Sequence, residues 1–167
     1  MITAEQLGAM YARNLMFIHE KTAGFSHADA LLQPPVPGNC TNWIVGHIAV
    51  YRNRILGFLG REPTLDPAIG ARYVRDSPPV LGDEPGIGQL ADLLAALDAA
   101  QGRMEAALRE LSPERAAETV GFGQFSMSLA EMLLFLLRHE AYHTGQLELL
   151  YELAQARQGT GQRAIEA

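Results

Sequence analysis

The feature that most constrains this chain is the period of its apolar residues. Four stretches repeat them at intervals of three and four, and none sustains the two-residue alternation of a half-buried strand. The longest stripe is Leu129, Met132, Leu136, His139, His143, Leu147, Leu150 and Ala154. At 3.6 residues per turn these positions share one face, and that face needs a partner to bury it. Ser128 and Glu131 form a capping box at its start, so a helix is predicted from Leu129 to Gln158, stopping near Gly159.

Three further helices follow from the same period. The first is capped by Thr3 with Gln6 three residues on, carries Leu7, Met10, Tyr11, Leu15 and Ile18, and should end near Gly24. The second is predicted from Asn42 to Leu59, capped by Thr41 or Asn39. Its stripe is Ile44, Ile48, Tyr51, Ile55 and Phe58, with a second line of Trp43, His47, Val50 and Arg54 beside it. The third runs from about Ile87 to Leu111. Pro34, Pro35 and Pro37 mark one loop, and a proline- and glycine-rich connection follows Gly60, with a helical turn near Tyr73. Ser112-Pro113-Glu114 reads as a stop followed by a short new turn. The stretch from Thr119 to Phe125 is strand-like but interrupted by glycine. Four long helices in 167 residues predict an all-α four-helix bundle in one domain spanning residues 1–167.

Composition narrows the function. Thirteen Lys and Arg against 19 Asp and Glu give a net charge of -6, which argues against nucleic-acid and anionic-membrane partners. The longest apolar run, Met132 to Leu137, has six residues, far short of a membrane span. No basic region followed by an apolar run opens the chain, so a soluble cytoplasmic protein is expected. The lone Cys40 excludes an internal disulfide and a cysteine-based zinc site, and an inert buried thiol is expected there rather than a nucleophile.

His139 and His143 are the chemistry this pattern exposes. Residues four apart on a helix are neighbours, and this pair lies on a stripe that faces the core. A shared metal ion would satisfy one nitrogen of each ring; two core histidines bonded to backbone or water are the plain alternative. The segment His139-Glu140-Ala141-Tyr142-His143 matches the H-E-x-x-H zinc-protease signature, but no downstream histidine or suitably placed carboxylate completes it and no sheet edge would hold a peptide. Glu140-x-x-His143 matches a di-iron motif that has no second copy here. A third ligand must come from His19, His27 or His47. His19 reads as a surface residue in a last helical turn and His27 as part of a solvated loop, whereas His47 lies between Trp43 and Tyr51 on a pocket-like wall.

Asn42-Trp43-Ile44-Val45-Gly46-His47 after a proline-rich loop, followed by His139-x-x-x-His143-x-Gly145-Gln146 in the last helix, resembles the DinB/YfiT-like superfamily across nearly the whole chain. The resemblance implies a four-helix bundle holding one divalent metal through three histidines, which map onto His47, His139 and His143. It also implies a metalloenzyme: a thiol-dependent S-transferase using a low-molecular-weight thiol, a maleylpyruvate-type isomerase, or a metal-dependent hydrolase. A non-catalytic metal-binding stress-response bundle is the alternative.

Three imidazole ligands leave a coordination position open, as in catalytic sites. Zinc is the first expectation, with nickel, iron and manganese compatible. The affinity should weaken as pH falls through the histidine range near 6.5. Around the metal, Trp43 and Arg54 are expected to bind substrate or thiol, Arg54 being equally a surface cation. Tyr51 is expected beside the ion as a catalytic residue with Glu140 and Gln146, and Tyr142 near it. Gln146 could orient a ligand or a histidine, or make a helix-packing hydrogen bond. Glu140 could accept from a histidine N–H, act as a base, or be a solvated carboxylate. Partners should be a small molecule or thiol and a second copy of the chain, forming a homodimer.

Overall fold

Helix α1 (Ala4–Thr22) begins where Thr3 and Gln6 cap each other: the Gln6 amide donates to the Thr3 hydroxyl at 3.1 Å and the Thr3 amide to Gln6 Oε1 at 2.9 Å. These bonds satisfy amides that a helix start leaves without partners. In the computed structural model, which describes residues 2–165 and side chains as far as Arg157, three more long helices follow. They are α3 (Thr41–Phe58), α5 (Leu90–Arg109) and α7 (Leu129–Ile165). Between them lie the short α2 (His27–Ala30), α4 (Pro67–Gly70) with a 3-10 turn at Ala71–Tyr73, and α6 (Pro113–Ala117). α1 and α3 each pack against both α5 and α7. The core runs along these faces through Tyr11, Ile18, Ile48, Leu97, Met104 and Leu136. Leu97 is fully buried in it, so truncation to alanine should cost about 2–5 kcal/mol.

The observed elements differ from the predicted ones in several places. α5 starts at Leu90 rather than Ile87 and ends at Arg109 rather than Leu111. Neither Thr41 nor Asn39 caps α3: Thr41 is already helical, Cys40 occupies the cap position, and it makes no side-chain cap bond. α7 continues past Gly159 and Gly161 to Ile165, because a glycine inside a helix costs only about 1 kcal/mol and does not oblige it to stop. The fold is also not purely helical. Strand β1 (Thr119–Phe122) pairs antiparallel with β2 (Phe125–Ser128), Thr119 opposite Ser128 and Phe122 opposite Phe125. Gly123 takes φ +60 at the first position of the two-residue turn, where a type II′ hairpin requires a glycine-compatible backbone. The Leu129 amide donates to the Glu118 carbonyl at 2.8 Å and ties the hairpin's base to the start of α7. Ser128 and Glu131 cap that start reciprocally, as their spacing predicts. Among the described residues no helix is long and apolar enough to cross a membrane.

Candidate metal centre

His47 projects from α3, and His139 and His143 from adjacent turns of α7. The three imidazoles form a triangle with ring centroids 5.2, 4.7 and 4.6 Å apart, each offering a nitrogen within 4.8 Å of the other two. Among the described residues no carboxylate or thiol joins this group. Trp43 stacks on His47 at 4.5 Å from one side. Tyr51 stacks on His139 at 4.1 Å from the other.

The ring orientations have identifiable causes. His47 Nδ1 lies 2.6 Å from the Tyr73 carbonyl, which can only accept, so Nδ1 carries the proton and Nε2 keeps its lone pair. His143 Nδ1 likewise lies 2.8 Å from Gln146 Oε1, again leaving Nε2 free to ligate. Such partners fix the tautomer and orientation of metal-binding histidines. His139 Nδ1 is buried without a protein partner, the kind of orphaned nitrogen that a cation or a solvent molecule satisfies.

Burial pushes His47 and His139 from the ordinary value near 6.5 down to about 4, and pushes His143 in the same direction. Mutual repulsion among the rings adds to the shifts of His47 and His139, while the Tyr73 and Gln146 contacts oppose those of His47 and His143. All three are therefore neutral at pH 7, which ligation requires. Metal–imidazole bonds are about 2.0–2.1 Å. Small ring rotations would let this triangle share one ion, and the donor set fits a divalent metal.

The first half of the motif is explained by Tyr73. A Cβ on Gly46 would sit 2.5 Å from the Tyr73 ring, so only glycine lets that ring lie against α3. The Tyr73 hydroxyl donates to Asn42 Oδ1 at 2.9 Å and accepts from the Gly88 amide at 2.8 Å. Asn42 Nδ2 donates to the Gly88 carbonyl at 2.9 Å and closes the network. Asn42 and Gly46 thus hold Tyr73, and Tyr73's carbonyl holds His47.

An open cavity of about 500 Å³ lies over the triangle. Trp43, Tyr51 and Tyr142 line it together with the histidines. Gln146 meets His143 and so orients a histidine. The other two residues singled out from sequence lie elsewhere. Glu140 is neither solvated nor in the cavity: it is buried, accepting from Arg52 Nε at 2.7 Å and Nη2 at 2.8 Å, and from Asn14 at 3.2 Å. Arg54 stands with its guanidinium 5.2 Å from the Tyr51 ring centroid and 4.8 Å from that of Phe122, outside the cavity lining. His19 pairs with Asp98 at the surface. His27 is not in a solvated loop, because its Nδ1 accepts from the Leu90 amide at the start of α5. Cys40 is buried and its thiol is pushed up by burial, so it is no thiolate nucleophile.

Sequence reasoning did not single out Tyr73, Arg52 or the hairpin phenylalanines. Arg52 left a readable trace, since it stands in phase with Ile44, Ile48 and Ile55 where an apolar residue is expected.

A family model of the DinB superfamily matches residues 10–147. This chain belongs to the DinB superfamily. A solved structure of a conserved protein from Enterococcus faecalis matches 93% of this chain and 99% of its own, at 15% identity and a TM-score of 0.71, which shows a shared fold. Comparison with curated proteins finds no match. Family membership and the three-histidine group together fit a metal-binding protein.

Proposed function

We propose that this DinB superfamily chain is a single-domain four-helix bundle and a divalent-metal-dependent enzyme. His47, His139 and His143 are its ligands and a small molecule is its substrate. The observation that carries this reading is the triangle itself: three neutral imidazoles, two with their outer nitrogens fixed by acceptors, beneath an open cavity. A structural site would be closed by a fourth protein ligand, and none stands in this group among the described residues.

Held by three neutral ligands, a divalent ion would keep its full charge and lower the pKa of a thiol or water in the open position. The chain's own residues do the rest. Trp43 and Tyr51 wall the site and exclude water from one side of each ring. Gln146 and the Tyr73 carbonyl keep Nδ1 of His143 and His47 protonated, which would leave Nε2 of each ring to hold an ion. Thiol-dependent S-transfer is placed ahead of hydrolysis because a site without anionic ligands favours an anionic fourth partner such as a thiolate. Zinc is placed ahead of nickel, iron and manganese.

Cobalt substitution tests this reading. Titration with low-molecular-weight thiols should add a sulfur-to-metal charge-transfer band, and metal analysis should find one ion per chain. Absence of a stoichiometric ion would overturn the metal site. A stoichiometric ion with no thiol band, together with turnover of simple esters or amides, would move the reading to hydrolase.

A further inference from the structure

Half of the chain's twelve aromatic residues line the cavity over the histidines: Trp43, Tyr51, Phe122, Phe125, Phe135 and Tyr142. The hairpin supplies two of them and is tacked to both helices that carry the histidines. Phe122 meets Tyr51 of α3 edge-on at 5.9 Å, and Phe125 meets Phe135 of α7 at 5.1 Å. Phe125 is 41% exposed and Tyr142 65% exposed, so much ring surface faces solvent beside the site. Apolar surface gathered at the rim of a cavity is one mark of a ligand-binding groove. The cavity's size falls within the 300–1,000 Å³ range of small-molecule pockets.

The polar groups at the mouth do not favour a charged polymer. Arg75 and Asp76 lie there side by side, 3.7 Å apart, and their charges offset each other. The strongest anion attractor in the cavity would be the ion on the three histidines. A ligand matched to this arrangement has an anionic or metal-seeking head at the histidines and a flat apolar body against the hairpin.

We infer that the site selects small molecules with an aromatic or conjugated body attached to a metal-binding head, and that the Phe122–Phe125 hairpin is the specificity wall. This rests on the metal-site reading above and adds the substrate class. Aromatic rings meeting offset or edge-on gain attraction beyond the area they bury, which an aliphatic body does not.

Cyclohexanehydroxamate and benzohydroxamate test it, because they share one chelating head and a six-membered carbon ring of similar size and differ in whether that ring is aromatic. Trp43 is the chain's one tryptophan and stacks on His47, so its fluorescence reports occupancy directly. With zinc-loaded protein, benzohydroxamate should bind about tenfold tighter or more, the gain expected of two ring contacts. Replacing both phenylalanines, Phe122→Leu with Phe125→Leu, keeps apolar bulk and removes the rings. It should shrink the ratio below about threefold, with zinc content and thermal midpoint held as controls. Equal affinities in the parent protein, or an unchanged ratio in the variant, would overturn the substrate class while leaving the metal site standing. Failure to bind stoichiometric zinc, measured separately, would remove the reading on which it rests and the inference with it.

Discussion

His47 owes its role to neighbours that do not touch a ligand. Its ring is set by one bond to the Tyr73 carbonyl, and Tyr73 is set by Gly46, Asn42 and Gly88. His47→Ala should therefore lose most of the bound ion, as measured by metal analysis after gel filtration. His19→Ala and His27→Ala should keep it, although His27→Ala should lose stability through the freed Leu90 amide. A His47→Ala protein that retained one ion per chain would show the triangle to be wrong. Gly46→Ala probes the indirect link. The added methyl overlaps the Tyr73 ring, and overpacking of this kind costs about 1–3 kcal/mol. Shifting the carbonyl that orients His47 should weaken metal affinity by about 10–100-fold, the usual effect of disturbing a ligand's supporting partner. Unchanged affinity in a destabilised Gly46→Ala protein would separate Tyr73 from the metal. The histidine pair was legible from its four-residue spacing on an apolar stripe. Tyr73 was not, because it contributes a backbone carbonyl, and every residue type carries one.

Between elements, the contact that most directly aligns the ligands is the ion pair of Arg52 on α3 with Glu140 on α7. Both side chains are almost wholly buried. Arg52 also donates to Gln101 Oε1 on α5 and to the Tyr11 carbonyl on α1, so one guanidinium reaches all four long helices. Its neighbour Tyr51 and Glu140's neighbour His139 meet across the site. Removing one partner of a buried pair strands the other's charge and typically costs about 3–5 kcal/mol. Arg52→Met or Glu140→Leu alone should lower the urea midpoint accordingly. The double variant should recover much of the loss, since apolar replacement of a whole buried pair is often neutral. Additive losses in the double variant would show that the two charges are not coupled. At this scale the sequence was legible in part. The four long helices and two capping boxes followed from period and spacing. The hairpin followed only in part: Thr119–Phe125 reads as strand-like and β1 lies within it, but strands of four residues with exposed or half-buried side chains are too short for a two-residue pattern to give the pairing with β2. Its turn was readable: Phe122-Gly123-Gln124-Phe125 places glycine at the first of two residues between aromatics. Arg52 and Glu140 broke apolar stripes on two different helices, and only the fold reveals that the two breaks face each other.

At the scale of the whole molecule, the cluster of buried neutral histidines makes stability depend on pH. In the folded, metal-free protein His47 and His139 titrate near 4, against about 6.5 in an unfolded chain. Between those values the unfolded state binds protons that the folded state refuses, so stability rises with pH across the window and is lost as pH falls from 6.5 towards 4. The same shift relocates metal release: protons compete for these nitrogens well below the ordinary histidine range, so the ion should be held at pH 6 and lost near pH 4. An ion that binds only the folded state adds about 2.7 kcal/mol when its free concentration is 100 times Kd. Its contribution should shrink at the acid end as protons displace it. Urea unfolding at pH 7.5, 6.0 and 5.0, with and without zinc, measures both effects. Metal-free midpoints should fall steadily below pH 6.5, and the zinc increment should persist at pH 6.0. In the double variant His47→Ala with His139→Ala, the metal-free slope should flatten and the zinc increment vanish. A slope that survives the loss of both rings would place the acid sensitivity in other groups and leave the triangle without a part in it.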